Sequence, residues 1–315
     1  MKISKGFYKD LEAVIADTEK LTAVFLPSQG GKLVSLVCRK NGKDYLAQRD
    51  EAVYRRLGPD TQYTAAECSA YDDMFPTIDP WEIPDGPLKG ARYLDHGEVC
   101  RLPHDFTVSK DSVHTFVRSN ELPFTFERVI SENTRGGLRI DFTATNTGDC
   151  DFDYIWASHF MARAVEGGRI ISPFPCGSPA EMVFSSDLSK YGGRSTKVSY
   201  PYGADGVTRI DTSNAHTENA DEWKFYMSTA FPEGFYGYGY PDDGTQLMLR
   251  FDPVKVPYGG AWMNDGHGVL SCFYNAAIEI CTGTFDRPDS ARERNQYSVL
   301  KANSSEKWYL EIDID

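Results

Sequence analysis

Four consecutive segments decide how this chain folds: VHTFVR (113–118), PFTFERVIS (123–131), LRIDFTATN (138–146) and DFDYIWASHF (151–160). Apolar and polar side chains alternate along them, and Phe, Tyr, Thr, Ile and Val are frequent, as in half-buried β-strands. Turn-forming residues separate the segments, for example NTRGG at 133–137. Short strands joined by short turns pair as antiparallel neighbours, so this region predicts an antiparallel sheet.

The same pattern runs through the rest of the chain. LEAVIAD and LTAVFLP lie on either side of a short polar turn, and Asn41-Gly42 after KLVSLVC is a hairpin signal of the type I′ kind, before YLAQ. FYGYGYP, TQLMLRFD, GVLSCFYNAAIEI and WYLEIDID continue the pattern to the last residues. No repeat of fixed period and no low-complexity linker interrupts it. We therefore predict an all-β protein, a single large antiparallel β-sandwich domain over residues 1–315.

Three longer irregular stretches interrupt the predicted strands, at residues 55–92, 172–222 and 283–297. They are rich in Pro, Gly, Asp and Ser. Loops of this length inside a compact domain usually have a function. We expect them to border the functional site.

Charge excludes several classes of partner. The 315 residues include 33 Lys and Arg against 46 Asp and Glu, a net charge of −13 with no basic stripe. This argues against nucleic acids and anionic membranes as partners, because both are bound through clustered positive charge. No segment approaches the ~18 apolar residues of a membrane span, and the first residues lack a signal-peptide core, so we expect a cytoplasmic protein.

The cysteines do not suggest a disulfide framework or a zinc site. The chain has seven, an odd number, and no two form a CxxC pair. We expect free, mostly buried thiols and no thiolate metal centre. These cysteines are Cys38, Cys68, Cys100, Cys150, Cys176, Cys272 and Cys281.

Two titratable residues stand in apolar runs. His159 lies in YIWASHFMARA, and the simplest explanation for it is a satisfied core histidine. Glu279 lies in NAAIEIC, and a buried Glu is rare without a partner. Together they are what an acid–base pair needs, because reference pKa values near 4.3 for Glu and 6.5 for His leave one group ionised and the other able to donate a proton.

Other chemistries lack their motifs. DHGE at 95–98 contains His96 beside carboxylates, but it lacks the HExxH spacing of a metal site, so we predict no metal. No GxSxG, GxGxxG or GxxxxGK[ST] pattern occurs, which leaves a serine nucleophile, a dinucleotide and a P-loop unsupported. We therefore expect no cofactor.

In their order, several short motifs resemble the galactose mutarotase (aldose 1-epimerase) family, and more closely its divergent bacterial galactose mutarotase-like branch. The resemblance covers nearly the whole chain. The motifs are PSQGGKLVSLVCRKNGKDYL (27–46), DDMFPTI (72–78), DHGE (95–98), WASHF (156–160), VPYGGAWMNDG (256–266) and IEICTGTFDRPDS (278–290). The resemblance implies a large antiparallel β-sandwich that binds a small-molecule sugar across one sheet.

The resemblance also implies roles for three residues. His159 in WASHF matches the general acid, which protonates the ring oxygen of the sugar. Glu279 in IEICTG matches the general base, which removes the proton of the anomeric hydroxyl. His96 in DHGE matches a second histidine that contacts the substrate near the ring oxygen. The implied reaction opens the pyranose ring and closes it again as the other anomer.

A sugar site also needs an apolar platform and polar groups at its edges. Trp262 and Trp81 are candidates for the platform. Asp73, Arg92, Lys224 and Asn264 are candidates for the polar contacts. The Asn-Arg pair that the galactose enzymes carry before their His-Gly motif has no clear match, and their substrate-binding Asp matches neither Asp211 nor Asp221 unambiguously. The sequence therefore leaves the identity of the sugar open.

Two other functions remain open at this stage. A non-catalytic carbohydrate-binding protein would keep the cavity without the reaction, since a fold does not determine a function. Another sugar enzyme, an epimerase or lyase of an acidic or phosphorylated sugar, would need cations that converge on the site. The candidate cations are Arg55, Arg56, Arg92 and Lys224. The sequence is compatible with a monomer or a homodimer.

Overall fold

The computed structural model describes residues 1–215, 220–268 and 273–315, and within these ranges the chain is almost entirely β-structure. The first strands are β1 (Lys2–Tyr8), β2 (Leu11–Asp17), β3 (Leu21–Leu26), β4 (Lys32–Cys38), β5 (Tyr71–Met74), β6 (Trp81–Glu82), β7 (Arg92–Tyr93), β8 (Asp105–Val108), β9 (Ser112–Arg118), β10 (Phe124–Glu132), β11 (Leu138–Asn146), β12 (Phe152–Tyr154) and β13 (Ala157–Arg163). The later strands are β14 (Arg169–Ile171), β15 (Pro179–Ser185), β16 (Lys197–Ser199), β17 (Glu222–Met227), β18 (Phe235–Gly239), β19 (Gln246–Phe251), β20 (Tyr258–Asp265), β21 (Tyr274–Cys281), β22 (Ser298–Leu300) and β23 (Ser305–Ile314). A 3₁₀ turn covers Tyr63–Ala65 and a short helix, α1, covers Pro288–Glu293.

The strands form two large antiparallel sheets. The eleven-stranded sheet has the order β1-β2-β3-β4-β5-β13-β21-β20-β17-β15-β16, and the eight-stranded sheet has the order β14-β18-β19-β23-β11-β10-β9-β8. Phe25 and Ile278 from the first and Phe126 and Leu310 from the second belong to one buried apolar core, so the two sheets pack face to face. This confirms the predicted all-β antiparallel sandwich.

The sequence pattern located most strands but misjudged two connections. LRIDFTATN is β11, whereas DFDYIWASHF is two strands, since β12 pairs with β22 and β13 lies in the eleven-stranded sheet. The Asn41-Gly42 turn exists, but of the two residues only Gly42 has a positive φ, 71°, so it is not type I′. The segment YLAQ after it makes one isolated bridge, between Leu46 and Ala162, instead of a strand. The predicted strand GVLSCFYNAAIEI is described from Phe273 onward, and Cys272 lies outside the described residues.

Alternation along the strands gives the eleven-stranded sheet two different faces. One face lies in the core between the sheets, and we call the opposite one the outer face. Phe160 of β13 and Ile278 of β21 belong to the core. Because successive side chains of a strand point to opposite faces, His159 and Glu279 lie on the outer face. The chemistry-bearing residues are therefore fixed by the same alternation that builds the core.

Candidate functional site

His159 and Glu279 lie side by side on two neighbouring strands. The register that pairs Ala157 with Cys281 and Phe160 with Ile278 sets them opposite each other. His159 Nε2 is 3.7 Å from Glu279 Oε1, and both side chains are almost completely buried. Glu279 Oε1 has no hydrogen-bond partner among the described residues. The structure thus brings the two predicted acid–base residues together and leaves one carboxylate oxygen uncommitted.

Burial shifts the pKa values of this pair in opposite directions. It lowers the pKa of His159 well below 6.5, with a further decrease from neighbouring positive charge on His96, Lys224 and Lys32. It raises the pKa of Glu279, although Lys224 opposes that change. Burial therefore favours the neutral form of His159 and the protonated form of Glu279.

Lys224 on β17 holds the other oxygen of Glu279. Its Nζ is 3.0 Å from Glu279 Oε2 and 2.8 Å from Asp286 Oδ1. The hydroxyl of Tyr226 lies 3.0 Å and 2.6 Å from the same two oxygens. Burial alone would lower the pKa of Lys224, but the carboxylates of Asp286 and Glu279 raise it instead. Lys224 is therefore a cation whose charge is already balanced by two carboxylates.

Tyr63 connects the two histidines of the site. Its ring stacks on His96 at 4.0 Å between centroids and meets His159 edge-on at 5.5 Å. Its hydroxyl donates to Asp72 Oδ2 at 2.7 Å and lies 3.4 Å from His159 Nδ1. Asp72 in turn forms a buried ion pair with Lys32 of β4. This chain of contacts fixes the plane of the His159 ring.

His96 occupies a loop that is shaped around it. His96 and Gly97 both have positive φ, 60° and 75°. A Cβ on Gly97 would stand 2.3 Å from the carbonyl oxygen of Phe75, so only glycine fits there. His96 Nδ1 contacts Asp95 Oδ1 at 2.6 Å, and the other oxygen of Asp95 accepts the backbone N–H of Tyr63 at 2.9 Å. The DHGE motif thus positions His96 beside Tyr63.

His159, His96 and Lys224 line a cavity of about 160 Å³, here called the site cavity. Its polar lining consists of Asp79, His96, His159, Glu222, Lys224 and Asp286, together with Thr64. Its apolar lining consists of Tyr63, Ile78, Phe184 and Trp262. Larger cavities of about 390 and 440 Å³ lie near Trp81 and near Phe7, away from the histidine–glutamate pair. The site cavity is the candidate site because of the titratable residues that line it, although it is smaller than the other two.

Trp262 lies in the site cavity but is largely enclosed. Its ring stacks against His159 with centroids 5.7 Å apart, and its Nε1–H donates to Glu222 Oε1 at 2.8 Å. Only 7% of its surface is exposed. Trp262 therefore supports the His159 ring as well as lining the cavity.

Four predicted binding residues lie outside the site cavity. Asp73 faces the core between the sheets, where Arg128, Tyr71 and Trp156 bind it. Arg92 is exposed and pairs with Glu121.

The other two have structural partners as well. Trp81 packs on Tyr93 at 5.3 Å. The side-chain oxygen of Asn264 accepts the backbone N–H groups of Gly266 and His267 in the turn after β20.

The remaining charged candidates are also committed elsewhere. Arg55 pairs with Glu51 and Arg56 with Asp10, both at the surface. Asp211 pairs with Arg209, and Asp221 pairs with Lys190. Of the four candidate cations only Lys224 lines the site cavity, and Glu279 and Asp286 balance its charge.

Sequence reasoning missed several members of the site. They are Lys32, Tyr63, Asp72, Asp79, Phe184, Glu222 and Asp286. Glu222 could have been predicted from the alternation of side chains along a strand, since it lies two residues before Lys224 and therefore on the same face. The loop residues Tyr63, Asp79 and Asp286 come from two of the irregular stretches, and no local pattern indicates where a loop brings its side chains.

The described ranges contain no cluster of three His, Cys, Asp or Glu residues arranged to hold a metal ion. In those same ranges no helix is both long and apolar enough to cross a membrane.

Comparison with solved structures identifies the fold. No protein-family model matches the chain, and no curated protein does. A galactose mutarotase-like protein from Clostridium acetobutylicum superposes with a TM-score of 0.67 at 14% identity, over 100% of this chain and 98% of that one. The GalM/aldose epimerase homologue from C. elegans superposes with a TM-score of 0.58 at 15% sequence identity, over 99% of each chain. The Slr1438 protein from Synechocystis superposes with a TM-score of 0.67 at 15% sequence identity, over 98% of each chain. The chain therefore has the galactose mutarotase-like fold.

Proposed function

We propose that this protein is a cofactor-independent mutarotase, an aldose 1-epimerase-like isomerase that interconverts the α and β anomers of a free sugar. One observation carries the proposal. Glu279 Oε1 lacks a hydrogen-bond partner among the described residues and lies 3.7 Å from His159 Nε2, beside a cavity with polar walls. A buried carboxylate oxygen without a partner is costly, and a sugar hydroxyl would satisfy it.

The proposed reaction needs one proton removed and one delivered. Glu279 Oε1 accepts the proton of the anomeric hydroxyl, whose electron pair forms the C1 carbonyl. His159 Nε2 delivers a proton to the ring oxygen as the C1–O5 bond breaks. Rotation about the C1–C2 bond and the same steps in reverse give the other anomer. Each positioned group contributes about 10²–10⁴-fold to such a reaction.

The proton inventory of the pair is compatible with this mechanism. The neutral form, with Glu279 protonated, and the ionic form, with His159 protonated, contain the same single proton. They interconvert by moving it between Oε1 and Nε2, and the pair titrates as a unit. Lys224 and Tyr226 bind Oε2 and so favour the ionised carboxylate, which is the form that accepts a proton.

Tyr63 and His96 act as positioning groups in this proposal. The contact of 3.4 Å between the Tyr63 hydroxyl and His159 Nδ1 leaves Nε2 directed towards Glu279. His96 stacks on the other side of Tyr63 and lines the cavity, where it can contact the sugar near its ring oxygen.

The test is anomer exchange followed by NMR on a panel of neutral aldoses, with wild type and Glu279→Gln compared. We expect wild type to accelerate exchange for at least one sugar and Glu279→Gln to lose at least 10²-fold of that rate while still binding the sugar. Glu127→Gln is the matched control, because Glu127 also pairs with a histidine, His114 at 2.9 Å, but on the eight-stranded sheet. Saturation-transfer binding without acceleration by wild type would favour the carbohydrate-binding alternative.

A further inference from the structure

Strand β15 contains an irregularity beside the site cavity. Ala180 pairs with Met227 and Met182 with Phe225, and all four are in the core between the sheets. Strict alternation would place the side chain at position 184 in that core as well. The register instead shifts between Met182 and Phe184.

The shift turns Phe184 to the opposite face. After it, Phe184 pairs with Lys224, whose side chain lies on the outer face and lines the site cavity. Phe184 lines the same cavity. β-Bulges next to functional sites commonly re-aim one side chain in this way.

Phe184 differs from Trp262 and Tyr63, the other aromatic residues of the apolar lining, because much of its side chain is exposed to solvent. It is 40% exposed, whereas Trp262 is 7% and Tyr63 is 1% exposed. Trp262 and Tyr63 already pack on His159 and His96. Phe184 therefore presents the largest exposed aromatic surface in the lining.

A pyranose has a C–H face that favours an apolar surface and hydroxyl edges that favour hydrogen-bonding groups. The cavity offers both, since the carboxylates of Asp79 and Glu222 lie in the same lining as Phe184. We propose that Phe184 is the stacking platform for the sugar ring and a specificity-determining residue, selecting aldopyranoses with an uninterrupted C–H face. The inference rests on the proposed function, in that it names the substrate class of the same cavity.

The test measures binding and turnover separately for Phe184→Ala. We expect KM for the best neutral aldose to rise on the order of tenfold, the scale of one aromatic contact, with kcat within about twofold of wild type. Phe184→Tyr should restore KM. Phe7→Ala is the matched control, because Phe7 is also an exposed strand phenylalanine, at 74%, but lies on β1 at the far edge of the sheet.

The effect of Phe184→Ala on the dissociation constant of the sugar is also measured, by titration in the Glu279→Gln background. This measurement does not need turnover. A larger sugar dissociation constant for Phe184→Ala in the Glu279→Gln protein supports the role of Phe184 as a stacking platform even if wild type shows no anomer exchange. In that case only the proposed function fails. If Phe184→Ala changes neither KM nor the dissociation constant in an active enzyme, Phe184 is not the stacking platform, and the proposed function is unaffected. Failure of every aldose to bind the folded wild-type protein would overturn the platform too.

Discussion

Glu279 has two oxygens in unlike surroundings. Oε2 is held by Lys224 and Tyr226, and Oε1 faces His159 beyond hydrogen-bond distance. Lys224 and Tyr226 stabilise the charge at the first oxygen, and the second has no hydrogen-bond partner among the described residues. A sequence motif indicates the glutamate, but only the register of β13 and β21 shows which histidine faces it.

The opposing pKa shifts predict a bell-shaped pH dependence of kcat/KM. In the proposed mechanism the pair holds one proton, so activity should fall at low pH, where both His159 and Glu279 are protonated, and at high pH, where both have lost their protons. Because burial lowers the pKa of His159, the acid limb should lie below 6.5, the ordinary histidine value. The measurement is the rate of anomer exchange against pH.

His96 provides an internal check on that profile. Its charge is one of the causes that lower the pKa of His159, so His96→Asn should move the acid limb to higher pH. Glu127→Gln should leave both limbs in place. A flat profile in wild type would contradict the assignment of this pair.

Strand β5 shows how one step along a strand separates two carboxylates. Asp72 lies on the outer face with Tyr63 and Lys32, and Asp73 lies in the core with Arg128. Asp72 is therefore part of the site, although Asp73 was the predicted binding residue.

The role of Asp73 predicts a loss of stability without a loss of catalysis. Asp73→Asn removes the charge that pairs with the buried Arg128 at 2.8 Å, so we expect the free energy of unfolding to fall by about 3 kcal/mol. The rate of anomer exchange per folded molecule should stay at the wild-type level. Urea unfolding and NMR exchange on the same sample measure the two effects, and a lower rate with unchanged stability would place Asp73 in substrate binding after all.

Much of this architecture was predictable at the scale of strands. β10 and β11 were located because period-two alternation is a local signal. The break between β12 and β13 was missed, because Ile155 and Trp156 are apolar like the strands beside them and only tertiary pairing separates the strands. The bulge before Phe184 was missed for the same reason, since a register shift is set by the partner strand.

Over the whole molecule, negative charge extends into the site. The net charge is −13, and the one lysine in the cavity lining is balanced by Glu279 and Asp286. In that lining Asp79 forms no ion pair among the described residues, so no cation balances its carboxylate.

This charge distribution predicts selectivity for neutral sugars. We expect kcat/KM for a free aldose to exceed that for its 6-phosphate by at least about tenfold, because like charges in a partly buried site repel strongly. Added salt should narrow the difference. Asp79→Asn should narrow the ratio of the two kcat/KM values further, and a preference for the phosphate would show that another part of the chain supplies cations.

The site as a whole was less predictable than the fold. His159, His96, Glu279, Lys224 and Trp262 were predicted and the structure brings all five together. The predicted Arg92 and Trp81 lie elsewhere, since an exposed cation or a half-buried indole has many structural uses.

The division of the site between strands and loops has an evolutionary consequence. His159 and Glu279 come from neighbouring strands, and Tyr63, Asp79 and Asp286 come from connecting segments. Insertions and substitutions accumulate more readily in such segments than in paired strands. Under the proposed function, descendants of this chain can change the sugar they accept by altering the loop residues of the cavity, while His159 and Glu279 are inherited with the sheet.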